Sequence, residues 1–245
     1  MTEIHNRREA AAGMNLLIIV PAYNESASIV RVIEELREKV PQYDYLIVND
    51  GSKDNTAGIC REHDFRMLDL PVNLGLTGAF QTGMRYAYEK GYDAAIQIDA
   101  DGQHDPVYIP EMVRIMEKKG ADLVIGSRFV TEKKPKTLRM FGNTIIEVAI
   151  RLTTGKRLTD PTSGMRLYNR KLIKEMAYGV NYSPEPDTVS YLLRCGAKVE
   201  ETQVTVRERV EGESYLSMSR SIRYMTQMCM NIMFIQWVRK RSEEA

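Results

Sequence analysis

QIDADGQHDP, residues 97–106, continues a short apolar run, Ala94-Ala95-Ile96, and sets Asp99 and Asp101 two positions apart ahead of a glycine and a proline. A run of this kind reads as a buried strand that closes in a tight turn. Carboxylates at such a strand end face the crevice where open α/β sheets bind ligands. Gln103, His104 and Asp105 follow within the same turn. Two carboxylates alone hold Mg²⁺ or Mn²⁺ poorly, but these ions are commonly shared between one or two carboxylates and substrate phosphates. The expected ligand is therefore a diphosphate. The ordinary alternative is a capped turn, with Asp101 and Asp105 bonding nearby backbone amides.

Working outward, residues 15–128 alternate short apolar runs with amphipathic segments, the pattern of a mostly parallel sheet wrapped by helices. Strands are predicted at 16–20, 45–49, 67–70, 95–99 and 123–126. Ile29, Val32, Ile33, Leu36 and Val40 recur at helical spacing between the first two, against Arg31, Glu34, Glu35 and Lys39. A second helix is predicted after Asp54 and a third from about 76 to 90. Each strand ends in polar residues, which lines up Tyr23-Asn24-Glu25, Asp50-Gly51-Ser52 and the Asp99/Asp101 pair along one sheet edge. Beyond Phe129 a basic stretch, TEKKPKTLR, leads to an apolar helix around 145–152, a turn-rich DPTSGMR, a helix ending near Cys195 and a strand pair near 198–209. Residues 215–241 are helical in pattern, with Ile222, Met225, Cys229, Ile232, Met233 and Trp237 on one face and arginines at both ends. The expected organisation is a loose tail (1–13), one catalytic domain (14–214) with a nucleotide-sugar half (14–130) and an acceptor half (131–214), and a C-terminal amphipathic helix (215–245).

Composition narrows the function classes. A chain of 245 residues buries a sizeable core without staples. Cys60, Cys195 and Cys229 are few and far apart, which fits a reducing compartment and excludes CxxC zinc or redox motifs. A net charge of +1 supplies no global field for nucleic acid. Residues 1–13 lack the apolar segment of a signal peptide, and the longest nearly uncharged apolar run, 228–238, falls short of the roughly twenty residues that span a bilayer. A cytoplasmic protein, peripheral at the inner face of the membrane, is expected. The C-terminal stripe suits a membrane interface, a helix packed on its own domain or a second subunit, or a partner membrane protein.

Six motifs stand in order: VPAYNE (20–25), NDGSKDNT (49–56), NLGLTGA (73–79), DADGQ (99–103), GSRF (126–129) and DPTSGMRLYNR (160–170). Together they resemble the inverting family-2 glycosyltransferases of the GT-A fold, in the branch of dolichyl-phosphate mannose synthase and bacterial polyprenyl-phosphate glycosyltransferases. The resemblance spans about residues 15–215. It implies that Pro21, Ala22, Tyr23, Glu25 and Asp50 hold the nucleobase and ribose. Asp50, acceptor-only when ionised, suits a base imide N–H, which uracil and guanine both carry. Gly75 and Gly78 then lie near the nucleotide or serve packing. Asp99 and Ala100 face the nucleotide-sugar, and Asp99, Asp101 and Gln103 surround a divalent ion. Ser52 and Asp54 are read as ordinary turn and cap residues.

The acceptor half is rich in arginine, whose fork matches phosphate oxygens. By the same resemblance Arg128, Arg139 and Asn143 hold an acceptor phosphate, with Asn143 where the family has serine. Arg166 and Arg207 add cations, and Arg209, in RxxGES, closes over the donor diphosphate. A polyprenyl phosphate needs no general base, because its second pKa of about 6 leaves it anionic. A sugar hydroxyl needs one, and Glu185 or Asp187 in SPEPD could serve. The QxxRW signature of processive synthases is absent and Met165 replaces the usual aromatic of SGFR. The leading expectation is a metal-dependent transfer of one sugar from a UDP- or GDP-sugar to polyprenyl phosphate. The alternatives are transfer to a saccharide hydroxyl in cell-surface polysaccharide synthesis, a nucleotidyltransferase, and a non-catalytic nucleotide-sugar-binding regulatory subunit. The second lacks its lysine-bearing phosphate loop; the third has no need of Asp101.

Overall fold

The structure is a computed structural model that describes residues 13–179, 182–207 and 218–234, with the side chains at 138, 139 and 218–222 outside that description. Its frame is a seven-stranded sheet of order β3-β2-β1-β4-β6-β5-β7. The strands are β1 (Leu16–Ala22), β2 (Asp44–Asn49), β3 (Met67–Asp69), β4 (Ala94–Gln97), β5 (Leu123–Ser127), β6 (Arg166–Asn169) and β7 (Val199–Gln203). All neighbours pair in parallel except β6, which runs antiparallel between β4 and β5. The mostly parallel sheet read from the sequence is present.

The helices are α1 (Ile29–Lys39), α2 (Thr56–Glu62), α3 (Gly75–Glu89), α4 (Ile109–Lys119), α5 (Leu138–Thr154), α6 (Arg170–Tyr178), α7 (Pro186–Arg194) and α8 (Met218–Met233). Successive β1 side chains alternate between two cores. Leu17 and Ile19 join Phe80 and Met84 of α3 and residues of α5 to α8, while Ile18 and Val20 join Ile29 and Ile33 of α1 and Met112 and Met116 of α4. Local chemistry sets the helix ends. Thr137 caps α5 by accepting from Met140 N (3.3 Å), Asn169 caps α6 by accepting from Leu172 N (3.0 Å), and Gly120 and Gly155 close α4 and α5 in the left-handed region.

Three sequence expectations change. The turn-rich DPTSGMR, residues 160–166, leads directly into an unpredicted strand, β6; four residues beginning with arginine carry too little alternation to announce one. Of the strand pair expected near 198–209, the described residues, which end at 207, hold one strand, β7, parallel to β5, followed by a bridge between Val206 and His104. Helices α4 and α6 went unpredicted, the first because Pro106 and Pro110 flag a loop although both fit a helical first turn. Of the three readings of the C-terminal segment, the described part packs on its own domain. Met228 and Ile232 are buried in the core shared with α5 and α7, and a Cβ at Gly142 of α5 would fall 1.8 Å from Met225 Sδ. Trp237 and Arg239 to Arg241 lie outside the described residues.

Helix α3 approaches β1 closely because Gly83 has no side chain: a Cβ there would meet Ile19 Cγ2 at 2.4 Å, and Ile19 is fully buried. Gly83→Ala is expected to cost about 1–3 kcal/mol through overpacking, measured as a lower urea midpoint at unchanged slope.

Candidate active site

Parallel strands deliver their C-terminal ends to one edge. Chain order reverses between β1, which continues outward to β2 and β3, and β4 on its other side, so the loops there diverge and leave a crevice. Pro21 and Ala22 end β1, and Tyr23 stands exposed at the mouth. Asn24, with φ +58°, accepts from Lys53 N (2.8 Å) and its own N donates to Ser52 Oγ (2.9 Å). Glu25 N donates to Thr56 Oγ1 (2.9 Å), and the Glu25 carboxylate accepts from Ser28 Oγ (2.6 Å). Asp54 accepts from Thr56 N (3.0 Å) and Ser26 N (3.1 Å). Ser52 and Asp54 thus act inside the loops, joining the first to the second.

Asp50 is buried beside Ala22, whose carbonyl accepts from Asp50 N at 2.8 Å, and its Oδ1 accepts from Leu74 N at 2.7 Å. One carboxylate oxygen therefore already holds the loop before α3. Gly51 allows that approach: at φ +63°, a Cβ would stand 2.7 Å from both Asn73 N and Val72 C. Gly75 opens α3 at φ +74° with free space around it, whereas Gly78 packs against Leu74.

The carboxylate pair lies just past β4. Asp99 is 40% exposed at its side chain, accepts from Gln97 Nε2 (3.0 Å) and lies 3.9 Å from His104 Nδ1. Ala100 is buried, and Asp101, buried too, accepts from Gln103 N at 3.0 Å. Asp105 likewise accepts from Val107 N at 3.0 Å, so the turn-capping chemistry of the ordinary reading is present in the same loop. Gly164 of the SGM turn lets that turn sit against the pair, since a Cβ would fall 3.0 Å from Asp99 Oδ2 and 3.1 Å from His104 Cε1.

The amide of Gln103 donates to Arg207 O (3.3 Å), which leaves its oxygen as the ligand atom it can offer, and Arg207 N donates to Gln103 O (2.9 Å). The Arg207 guanidinium is not available to a phosphate. It pairs with Glu35 and Asp105, which Lys39 also bridges at 2.7 and 2.9 Å. Burial pushes the Glu35 and Asp105 carboxyls up, but these cations hold both below the usual range. Arg209 lies outside the described residues. Among the described residues no three His, Cys, Asp or Glu side chains form a complete metal cage. Asp99, Asp101 and the Gln103 oxygen fit a hard cation only in partnership with ligand oxygens.

On the acceptor side, the arginine cluster has partners within the protein. Arg128, 22% exposed at its side chain, forks onto the fully buried Asp160 with Nε to Oδ2 at 2.6 Å and Nη2 to Oδ1 at 2.9 Å. Asn143 is buried and donates to the same carboxylate at 3.2 Å instead of presenting itself to the crevice. Arg166 is buried as well, donating to Ser163 O (2.8 Å) and Pro161 O (2.7 Å). Both were expected to touch an acceptor; in the structure they brace the DPTSGM turn. The Arg139 side chain lies outside the described residues. Glu201 of β7 completes the bracing by accepting from Thr159 N (2.7 Å) and Asp160 N (2.9 Å). Burial pushes the Asp160 carboxyl up, but Arg128 holds it below the usual range.

Glu185 immediately precedes α7, and Asp187 lies in its first turn. The Tyr224 hydroxyl of α8 donates to Glu185, and Asn231 Nδ2 donates to Asp187 at 3.2 Å. Burial, reinforced by the Asp187 and Asp99 charges, pushes the Glu185 carboxyl up against the pull of Tyr224 and Arg166. Sequence reasoning missed Asp160, Glu201 and Tyr224 as site-building residues. Asp160 stands inside a quoted motif, but nothing local distinguishes its carboxylate from an ordinary turn former.

A carboxyl whose folded pKa lies below its unfolded value stabilises the fold above the unfolded value and ceases to as pH falls through the folded one. Asp160→Asn is therefore expected to lower the urea midpoint by a constant amount from neutral pH to about pH 4, and by less below that. Asp160→Ala, which leaves Arg128 and Asn143 without their acceptor, should cost about 2–3 kcal/mol at pH 7, under the ~3–5 kcal/mol of a fully buried pair because Arg128 is partly solvated. Equilibrium denaturation across the pH range checks both.

Comparison with known proteins agrees with this geometry. The model of glycosyl transferase family 2 matches residues 17–177. The chain is 32% identical over 216 residues to undecaprenyl-phosphate mannosyltransferase of Micrococcus luteus, covering 83% of this chain and 88% of that one. It is also 32% identical over 183 residues to UDP-N-acetylglucosamine–dolichyl-phosphate N-acetylglucosaminyltransferase of Methanococcus voltae, covering 66% and 72%. Among solved structures, glucosyl-3-phosphoglycerate synthase of Mycobacterium tuberculosis, in a complex with Mn²⁺ and UDP, superposes with a TM-score of 0.67 at 19% identity, covering 98% of this chain and 85% of that one. That likeness establishes the fold. With the Asp-x-Asp loop at the switch point of a GT-A-like sheet, the chain belongs to glycosyl transferase family 2 and is a glycosyltransferase.

Proposed function

We propose that the chain moves one sugar, with inversion, from a UDP- or GDP-sugar to a polyprenyl phosphate at a membrane surface, using Mg²⁺ or Mn²⁺ held by Asp99, Asp101 and Gln103. The observation that carries this reading is the double face of α5. Its inner side contributes Asn143 to the Asp160–Arg128 cluster beside the crevice. Its outer side exposes Phe141, Ile145, Val148 and Leu152 at i, i+4, i+7 and i+11, and Met230 and Phe234 near the end of α8, which packs on α5, are exposed too. Lys133, Lys136, Arg151, Lys156 and Arg157 flank the stripe. An apolar face rimmed by cations suits the interface of an anionic bilayer. No helix among the described residues is long and apolar enough to cross one. The Micrococcus and Methanococcus relatives carry lipid phosphates in their names, which supports the same acceptor class.

In this reading Pro21, Ala22, Tyr23, Glu25, Asp50 and Gly75 form the nucleotide end of the crevice. A divalent cation bound at the Asp99/Asp101 loop would neutralise the leaving nucleoside diphosphate. Asp50 offers its second oxygen to a base N–H, since the first already holds Leu74. Arg128 keeps Nη1 outside its Asp160 contacts as the donor for an acceptor phosphate, and Asp160 fixes its plane. The acceptor oxygen is already anionic, so no side chain has to remove a proton. One observation favours the second reading, a saccharide hydroxyl as acceptor: the raised Glu185 carboxyl would suit a general base.

Release of UDP or GDP from a panel of UDP- and GDP-sugars, with Mg²⁺ or Mn²⁺ and with or without a short-chain polyprenyl phosphate, separates the two. One donor is expected to turn over only when lipid phosphate is present. Stimulation by a saccharide and not by lipid phosphate would overturn the proposal. Asp101→Ala should lower turnover by about 100-fold or more with thermal melting unchanged.

A further inference from the structure

Three observations converge on the acceptor side of the carboxylate pair. Glu185 is partly exposed, and the charges of Asp99, at the crevice, and of Arg166 act on it. Its carboxylate is gripped from behind by the Tyr224 hydroxyl, which comes from the C-terminal helix thirty-nine residues later. Beside Asp99, to which Gln97 Nε2 donates, two buried side chains are incompletely satisfied. Arg166 Nη1 and Gln97 Oε1 have no hydrogen-bond partner, and the two residues are opposite one another in the β4–β6 ladder, so their side chains share one face of the sheet. Buried polar groups are nearly always paired. A donor and an acceptor left unpaired side by side next to Asp99 mark ground prepared for a polar ligand rather than for packing.

The chemistry available there narrows the ligand. A nucleoside diphosphate anchored at Asp99 and Asp101 carries its sugar on the terminal phosphate, within one ring's length of that loop. A sugar ring presents hydroxyls that both donate and accept, which a carboxylate backed by a guanidinium can read. Resting on the reading under Proposed function, we propose that Tyr224 is a positioning residue that sets the Glu185 carboxylate as a wall for the hydroxyls of the donated sugar. The C-terminal helix thereby takes part in donor selection. Asn231, seven residues or two turns further along α8, donates to Asp187 and ties the start of α7 to the same helix.

The test compares binding of UDP-glucose, UDP-N-acetylglucosamine and GDP-mannose with binding of UDP and GDP, in Mn²⁺, by calorimetry on the full chain. Tyr224→Phe removes only the hydroxyl, and Glu185→Gln removes the charge while keeping the shape. Each is expected to weaken the preferred nucleotide-sugar about tenfold, the cost of one hydrogen bond to a charged group, while nucleoside diphosphate affinity stays within about twofold. The double variant should be no weaker than Glu185→Gln alone, because the two residues act as one unit. Equal losses for nucleotide-sugar and nucleoside diphosphate, or fully additive losses, would overturn the inference. Should Tyr224→Phe lower the melting temperature sharply, Glu185→Gln decides: an unchanged ratio of nucleotide-sugar to nucleoside diphosphate affinity sinks it. If the wild type binds no nucleotide-sugar at all, the donor assignment fails with it. If binding discriminates as expected but lipid phosphate never stimulates turnover, only the acceptor assignment fails.

Discussion

The reversal of strand order between β1 and β4 is the constraint on which the remaining architecture depends. Parallel strands need crossover helices, and the change of direction sends successive loops to opposite sides, so the sheet cannot close over its own C-terminal edge between those two strands. The loops that remain must satisfy their own polar groups around an open crevice. They do so by bonding one another: Asn24 to the loop after β2, Asp50 to the loop before α3, Arg207 to the loop after β4. The loops at this edge are cross-braced, each serving as a hydrogen-bonding partner of another.

The acceptor side is held by a different device. Asp160 has no exposure to water, and an isolated carboxylate there would be too costly to keep ionised. Arg128, Asn143 and Thr162 surround its oxygens, while Glu201 takes the backbone amides of Thr159 and Asp160. The consequence reaches function. An arginine beside a crevice is normally a floppy, fully solvated cation, whereas Arg128 is a fixed plane with part of its charge neutralised. Phosphate recognition at such a residue trades strength for geometry. Arg166 is buried, with Nε and Nη2 braced on carbonyls.

Helix α8 unites the two halves of the argument about the lipid. One side packs Met228 and Ile232 into the core and reaches Glu185 and Asp187, while Met230 and Phe234 are exposed. The proposed docking surface and the proposed sugar wall therefore belong to one helical layer.

The sequence by itself determined the α/β layering, the nucleotide-side loops and the Asp99/Asp101 turn, because these follow from local periodicity and from residues a few positions apart. The β1 core positions, the α1 stripe and the glycine of the Asp50-Gly51-Ser52 turn are legible for that reason. Tertiary structure alone decided the antiparallel insertion of β6, the capture of Arg128 by Asp160 thirty-two residues on, the service of Glu201 to a turn some forty residues before it, and the reach of Tyr224 to Glu185. It also decided that Asn143 and Arg166 face inward. Whether a charged side chain meets water or a buried counter-charge depends on which distant elements fold over it, and no local pattern in the chain encodes that.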